Sequence, residues 1–337
     1  VSVKIGINGF GRIGRSVVRS SFDKANVEFV AVNDLVDPQT LAYLLKYDSS
    51  HGVFAHDVDH TENSIIIDGE EIKIHSEKDP ADIPWADHDV DVVIESTGLF
   101  TDGERAKKHL EAGAKKVIIS APANNEDLTV VLGVNDDMYD PEKHDILSNA
   151  SCTTNCLAPV AKVLNDEFGL EKGLMTTIHS YTGSQNLLDG PYDWKKITRG
   201  RAAAENIVPT TTGAAKAVTI VLPELKGKLD GMAVRVPTPT GSLVDMVADL
   251  GEDVTKEDVD KAMKKAAEGS MEGILGYSDV PKVSRDYFED PHSSIYDSNH
   301  TRVVGGNQVK VLSWYDNEWG YSVRCVDLAI KLKEMGL

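Results

Sequence analysis

Cys152 stands in the run Asn149-Ala150-Ser151-Cys152-Thr153-Thr154-Asn155-Cys156, between a strand-like Ile146-Leu147-Ser148 and an apolar helical stripe of Leu157, Val160, Ala161 and Leu164. This order places the thiol in the first turn of a helix, where unpaired N–H groups and the positive end of the dipole favour the thiolate. The expected chemistry is nucleophilic attack by a cysteine of lowered pKa. Cys156, one turn further on, is expected to be buried and inert. A thiol nucleophile also needs a proton acceptor, and His179 lies in Met175-Thr176-Thr177-Ile178-His179-Ser180-Tyr181-Thr182, a β-rich run entering a polar loop. Taken singly, a cysteine and a histidine are more often structural than catalytic; their setting makes them candidates.

A second constellation opens the chain. The strand-like Val3 to Ile7 runs into Gly9-Phe10-Gly11-Arg12-Ile13-Gly14, and Val17 and Val18 continue an apolar helical stripe. In a strand, glycine turn and helix of this kind, Gly9 permits the tight turn, Gly11 lets backbone approach a pyrophosphate, and Gly14 lets helix and strand pack closely. The phosphates would sit at the helix N-terminus, where free N–H groups face anions. The strand Val27 to Val32 then ends at Asn33-Asp34, putting a carboxylate where a ribose hydroxyl pair would lie; there Asp34 favours NAD over NADP. The other reading of Asp34 is a helix or turn cap. The strands Val90 to Glu95 and Lys116 to Ile119 run into Ser96-Thr97-Gly98 and Ser120-Ala121-Pro122, so Thr97, Gly98 and Ser120 are expected at the same crevice. Between them, Glu104 to Gly113 has the charge and spacing of an exposed crossover helix.

The elements that must hold these residues follow from length and composition. A chain of 337 residues is expected to make two domains, and 41% hydrophobic residues with scattered Gly and Pro suit a globular protein. Lys and Arg number 35 against 54 Asp and Glu, a net charge of −19 that disfavours nucleic acid and anionic membranes as partners. The surplus is read as a soluble surface, with a salty cytoplasm as the other explanation. No apolar run reaches the roughly 18 to 20 residues of a membrane span, and the first residues enter a strand without the pattern of a signal peptide. Three cysteines are too few for a disulfide framework, so a cytoplasmic location is expected. His56 and His60 are four apart but lack a helical stripe and a third ligand, and no metal is expected.

Together the blocks Ile7-Asn8-Gly9-Phe10-Gly11-Arg12-Ile13-Gly14, Ser148 to Cys156, His179-Ser180-Tyr181-Thr182 and Trp314-Tyr315-Asp316-Asn317-Glu318 resemble phosphorylating glyceraldehyde-3-phosphate dehydrogenases across essentially the whole chain. The cysteine block is the specific one. The resemblance implies an α/β fold: a doubly wound parallel Rossmann sheet in an NAD-binding domain at 1–151, an α+β catalytic domain with a mixed sheet at 152–317, and a C-terminal helix at 318–337 packing back on the first. Val323, Val326 and Ile330 recur at helical spacing there. It also implies a homotetramer. Arg12, Ile13, Asp34, Lys78 and Ser120 match cofactor-contact positions, as do Asn317 and Tyr321 near the nicotinamide.

The implied reaction converts glyceraldehyde 3-phosphate to 1,3-bisphosphoglycerate with NAD, through a thiohemiacetal and a thioester on Cys152. It requires two anion sites near one sulfur. Thr182 and Arg235 match one; Ser151, Thr153, Thr212 and Gly213 match the other. Arg199, Arg201 and Arg235 lie near threonine-rich turns, and arginine suits bidentate phosphate binding; Arg199 is a candidate phosphate ligand, an interface ion pair is the plainer reading of Arg201, and which of the two reaches phosphate is left open by the sequence. For the threonines the plainer reading is a turn or strand-edge hydroxyl. Departures from the family pattern lie between Tyr181 and Arg201: Gly183-Ser184 replaces a usual Asn-Asp, Tyr192 to Thr198 looks longer, and Gly190-Pro191 occupies positions that influence the choice between NAD and NADP. The rival readings are an erythrose-4-phosphate dehydrogenase that releases the acid to water, a semialdehyde dehydrogenase with an acidic group where Arg235 stands, and a non-catalytic scaffold binding RNA in its dinucleotide cleft.

Overall fold

The computed structural model describes residues 2–337. The chain divides into two compact units: Val1–Val130, Asp137–Ser151 and Ser322–Leu337 form the first, Val131–Asp136 and Cys152–Tyr321 the second.

In the first unit, short Val- and Ile-rich runs become strands buried on both faces, the pattern of a parallel sheet covered on both sides. Val92–Glu95 and Lys116–Ile119 are buried at every position. The nine-stranded sheet has the order Leu128–Thr129, Ile146–Ser148, Lys116–Ile119, Val92–Glu95, Val3–Asn8, Val27–Asn33, Glu70–His75, Ser64–Ile67, Val58–His60. The first seven run parallel, and an antiparallel pair closes the edge. Chain order reverses between Val3–Asn8 and Val92–Glu95, so a crevice opens beyond the carboxyl ends of these strands.

The segment expected as one exposed helix from Glu104 to Gly113 is different. It forms two short turns, Gly103–Ala106 and Lys108–Glu111, and buries Ala106 and His109 completely. The physical reason is polar anchoring in the core: His109 accepts the Trp85 indole N–H at 3.0 Å, and its Nε2 lies 3.0 Å from the Glu95 carboxylate. The last helix, Trp319–Glu334, buries Val323 and Val326. From Ser322 onward it is held within the first unit by Lys24–Asp327 at 2.6 Å, Lys333–Asp91 at 2.7 Å and Asn149 Nδ2 to Cys325 Sγ at 3.4 Å.

The second unit is α+β. Its mixed eight-stranded sheet runs Val208–Thr211, Leu229–Val236, Leu170–Ser180, Ser242–Leu250, Gln308–Tyr315, Ser294–Asp297, Leu275–Ser278, with Arg302–Val304 beside Gln308–Tyr315. Leu170–Ser180 pairs parallel with Leu229–Val236 and antiparallel with Ser242–Leu250. Ser242–Leu250 alternates buried and half-buried residues with the period of two that one covered face requires. The long helix Cys152–Phe168 packs on strands of this sheet.

Candidate active site

The glycine turn shapes a groove of about 510 Å³ in the first unit, lined among others by Gly9, Gly11, Asp34, Lys78, Thr97 and Phe100. Gly9 has φ +90°, and a side chain there would meet the Thr97 amide at 2.7 Å. A side chain on Gly14 would lie 2.3 Å from the Gly9 carbonyl, whereas one on Gly11 would meet nothing within 4 Å. Two glycines thus serve the protein's own packing. The third keeps open a space that no protein atom fills, beside the first turn of Arg12–Ser21, which has no side-chain cap. Asp34 lines the groove, and its carboxylate caps the turn, accepting the Phe10 N–H at 2.7 Å and the Val36 N–H at 3.0 Å. Arg12 makes a two-pronged ion pair with Asp48, at 2.9 and 3.3 Å. Ile13 follows it in the first turn, and Gly98 continues from Thr97 with φ +72°. Ser120 donates its hydroxyl to the Glu95 carbonyl at 2.9 Å.

The thiol and imidazole meet in the second unit. Cys152 is the first residue of its helix, after a turn in which Ala150 takes φ +53°, a left-handed conformation that sequence pattern assigns to glycine or asparagine. Along Leu170–Ser180, Met175, Thr177 and His179 share one face by strand alternation, and parallel register sets Arg235 beside His179. The Cys152 Sγ lies 3.5 Å from His179 Nε2. On the other side of the ring, Nδ1 lies 2.7 Å from the Ser180 carbonyl, which can only accept; Nδ1 therefore carries the proton and Nε2 the lone pair. The thiol donates to an imidazole already in the form of a base.

The expectation of a thiolate is corrected by burial. Burial pushes the Cys152 thiol up from its ordinary value, and the opposing Arg235 charge and Thr153 hydrogen bonds do not offset it. Burial, with Arg235 next, pushes His179 down to about 3. Both shifts favour the uncharged forms, and His179 Nε2 is the atom placed to take the thiol proton as the sulfur attacks. Cys156 is fully buried, and burial pushes it up to about 12.

Arg235 donates from Nη1 to the Ser180 carbonyl at 2.9 Å and Thr182 Oγ1 at 3.2 Å, while its Nε is buried with no hydrogen-bond partner. Among the described residues no carboxylate pairs with it. Arg199 donates to Thr210 Oγ1 at 3.0 Å and the Thr211 carbonyl at 3.2 Å, and its charge reaches both His179 and Arg235. Arg201 instead pairs with Asp189 at 2.6 Å within the chain. Thr212 and Gly213 sit at the start of the helix Ala214–Val221, with Thr212 Oγ1 accepting the Ala214 N–H at 3.2 Å. Ser151 immediately precedes Cys152. Thr153 is turned inward, its hydroxyl 2.9 Å from that of Tyr315. Asn317 is buried, and its Oδ1 accepts from Ser242 Oγ at 2.7 Å, which leaves its amide N–H groups to donate elsewhere. Tyr321 is buried four residues further on.

Several residues were not legible in the sequence. Tyr315 bridges Thr153 and Thr177, with its hydroxyl 2.9 and 2.8 Å from theirs, and its ring stands edge-on to His179 at 5.9 Å. Beneath the groove of the first unit, Asn8, Asn33, Glu95 and His109 form a buried polar cluster. The one available signal was polar residues at strand ends inside otherwise apolar runs.

The family model described as the NAD binding domain of glyceraldehyde 3-phosphate dehydrogenase matches residues 3–103, and that of its C-terminal domain matches residues 151–317. The chain is 59% identical over 337 residues to glyceraldehyde-3-phosphate dehydrogenase of Geobacillus stearothermophilus and 60% identical over 337 residues to that of Priestia megaterium, in both cases covering the whole of both chains. To the enzyme of that name from Mycolicibacterium smegmatis it is 59% identical over 336 residues, 97% of this chain and 98% of the relative. With a dinucleotide cradle in one unit and a cysteine, histidine and arginine gathered in the other, this chain belongs to the glyceraldehyde 3-phosphate dehydrogenase family, NAD-dependent oxidoreductases of glycolysis.

Proposed function

We propose that the chain oxidises glyceraldehyde 3-phosphate by covalent catalysis at Cys152 and passes the acyl group to inorganic phosphate, giving 1,3-bisphosphoglycerate. The observation that carries this reading is the Cys152 to His179 contact of 3.5 Å with Nδ1 committed to the Ser180 carbonyl. As Sγ bonds the aldehyde carbon, its proton passes to Nε2, and the imidazolium that results can protonate the alkoxide. For the thiohemiacetal to become a thioester, His179 Nε2 would take back the hydroxyl proton as the hydride leaves, and bound NAD would supply the hydride acceptor. Phosphate then attacks the acyl carbon and the Cys152 sulfur leaves.

Arg235, whose Nε is buried without a partner, offers positive charge at that sulfur, and Arg199 offers it beside His179, for the two phosphates. Thr182 extends the first site; Ser151, Thr153, Thr212 and Gly213 are assigned to the second. In this reading residues 1–151 hold the cofactor, through Gly9, Gly11, Arg12, Ile13, Gly14, Asp34, Lys78, Thr97, Gly98 and Ser120. Residues 152–317 carry the chemistry, with Asn317 and Tyr321 at the nicotinamide, and the last helix returns to the first unit from Ser322 onward. The working form is a homotetramer in the cytoplasm. Supporting the assembly, Leu187, Leu188, Trp194 and Ile207 are 70% exposed or more on one loop region.

The deciding experiment follows NADH formation from glyceraldehyde 3-phosphate and NAD with and without inorganic phosphate, beside Cys152→Ser. Strong phosphate dependence that is lost in the variant, with turnover down at least about a thousandfold, is expected. Turnover indifferent to phosphate would assign the acyl acceptor to water instead.

A further inference from the structure

We propose that Glu95 is the positioning residue of the dinucleotide cradle, an acceptor-only carboxylate that ties together the loops after four strands. Glu95 ends Val92–Glu95 and is 2% exposed. Its Oε1 accepts the Thr97 N–H at 2.8 Å and the Thr97 hydroxyl at 2.5 Å. Its Oε2 accepts from Asn8 Nδ2 at 2.6 Å and His109 Nε2 at 3.0 Å. From Asn8 the chain of bonds continues: Asn33 Nδ2 donates to Asn8 Oδ1 at 2.8 Å, and the Glu77 N–H donates to Asn33 Oδ1 at 2.8 Å. Asn8, Asn33, Glu77 and Thr97 all line the groove.

The direction of every bond is determined from the ends. The Trp85 indole can only donate, and it donates to His109 Nδ1 at 3.0 Å, so the proton of the neutral ring is on Nε2 and points at Glu95. The Glu77 amide can only donate, so Asn33 must present its oxygen there and its NH2 to Asn8, and Asn8 in turn must present its NH2 to Glu95. The Leu99 N–H donates to Thr97 Oγ1 at 3.0 Å, which leaves the Thr97 hydroxyl proton for Glu95. Four donors therefore converge on one side chain, and only a carboxylate has four acceptor sites and no donor. A glutamine of the same shape would turn an NH2 toward two N–H groups or toward the Thr97 pair. Neither arrangement can be relieved by flipping an amide, because each flip passes the conflict to a group that cannot reverse.

This inference rests on the assignment of the groove to NAD, and its test separates the two. Glu95→Gln in the full-length protein is expected to raise the dissociation constant and the KM for NAD about tenfold, the effect of leaving a buried donor unpaired. The KM for glyceraldehyde 3-phosphate should stay within about twofold, and kcat at saturating NAD should fall by less than the rise in that KM. Thr97→Val, which without changing shape removes the hydroxyl donor to Glu95 and with it the acceptor of the Leu99 N–H, should weaken NAD several-fold, and Thr97→Ser, which restores both bonds, should recover most of the loss. Should Glu95→Gln not fold, the Thr97 pair decides. NAD binding unchanged in both Glu95→Gln and Thr97→Val, or an equal loss in both KM values and kcat, would overturn the positioning role. Failure of the unaltered protein to bind NAD would instead overturn the assignment beneath it.

Discussion

His179 is held in one tautomer by the atom on its far side, although that Ser180 carbonyl by itself favours the protonated ring. With Nδ1 donating to the Ser180 carbonyl and Arg235 alongside, protonating Nε2 in the resting site would bury a second positive charge. Burial therefore depresses the folded-state value to about 3, against 6.5 for the ordinary side chain. The sign follows: between those values the unfolded chain binds a proton that the folded chain refuses, so stability is full above about pH 6.5 and declines as pH falls. Burial shifts His75 and His88 in the same direction. Urea midpoints measured from pH 7.5 to 5, above the range where the shifted aspartates titrate, should fall in the unaltered protein and fall less steeply in His179→Asn. Equal slopes would show that this histidine is not held neutral. A helix start alone does not lower this thiol's pKa, since the charge that would favour a thiolate must outweigh the desolvation of the sulfur.

At the scale of elements, the glycine turn separates packing from recognition within six residues. Gly14→Ala drives a methyl to 2.3 Å from the Gly9 carbonyl and should destabilise the first unit by about 1–3 kcal/mol, seen as a lower melting temperature. Gly11→Ala meets no protein atom. It should leave the melting temperature of the unliganded protein nearly unchanged while weakening NAD about tenfold by occupying the space the pyrophosphate backbone needs. Calorimetry of both variants with and without NAD tests the pair; a Gly11→Ala protein that binds NAD normally would remove the phosphate site from this turn. The nucleophile's turn is a different device. There Ala150 holds φ +53° without being glycine, and the Ser148 hydroxyl accepts its N–H at 3.1 Å. Asp316 accepts the N–H groups of Glu318 and Trp319, both at 2.9 Å, and so fixes Asn317 at the start of the last helix.

At the scale of the whole molecule, a net charge of −19 per chain sets the terms of assembly. Exposed Leu187, Leu188 and Trp194 favour association, but bringing four copies together multiplies the like charge. Light scattering should report a mass four times the 36.6 kDa chain at about 0.15 M salt, with smaller species growing as salt is lowered and screening weakens. A monomer at all salt concentrations with full activity would remove the tetramer from the mechanism. Among the described residues no helix is long and apolar enough to cross a membrane.

What the sequence determined by itself is what periodicity and local stereochemistry carry. The strand, glycine turn and helix at Val3–Ser21, the strand ending at Asn33, and the helix opening at Cys152 were all readable because their signals lie within a few residues. The pairing of His179 with Cys152 rested on resemblance, and what produces it in the molecule is strand register: alternation puts His179 on the face of Thr177, and the parallel neighbour adds Arg235. Only the tertiary structure gives the direction in which burial shifts that pair, because desolvation depends on everything packed around the sulfur. The same holds for the crossover expected to be solvent-facing, which turned His109 inward to Glu95 and Trp85. Residues 8, 33, 77, 95 and 109 are dispersed along the chain, and only folding the parallel strands side by side gives their donors and acceptors a common direction.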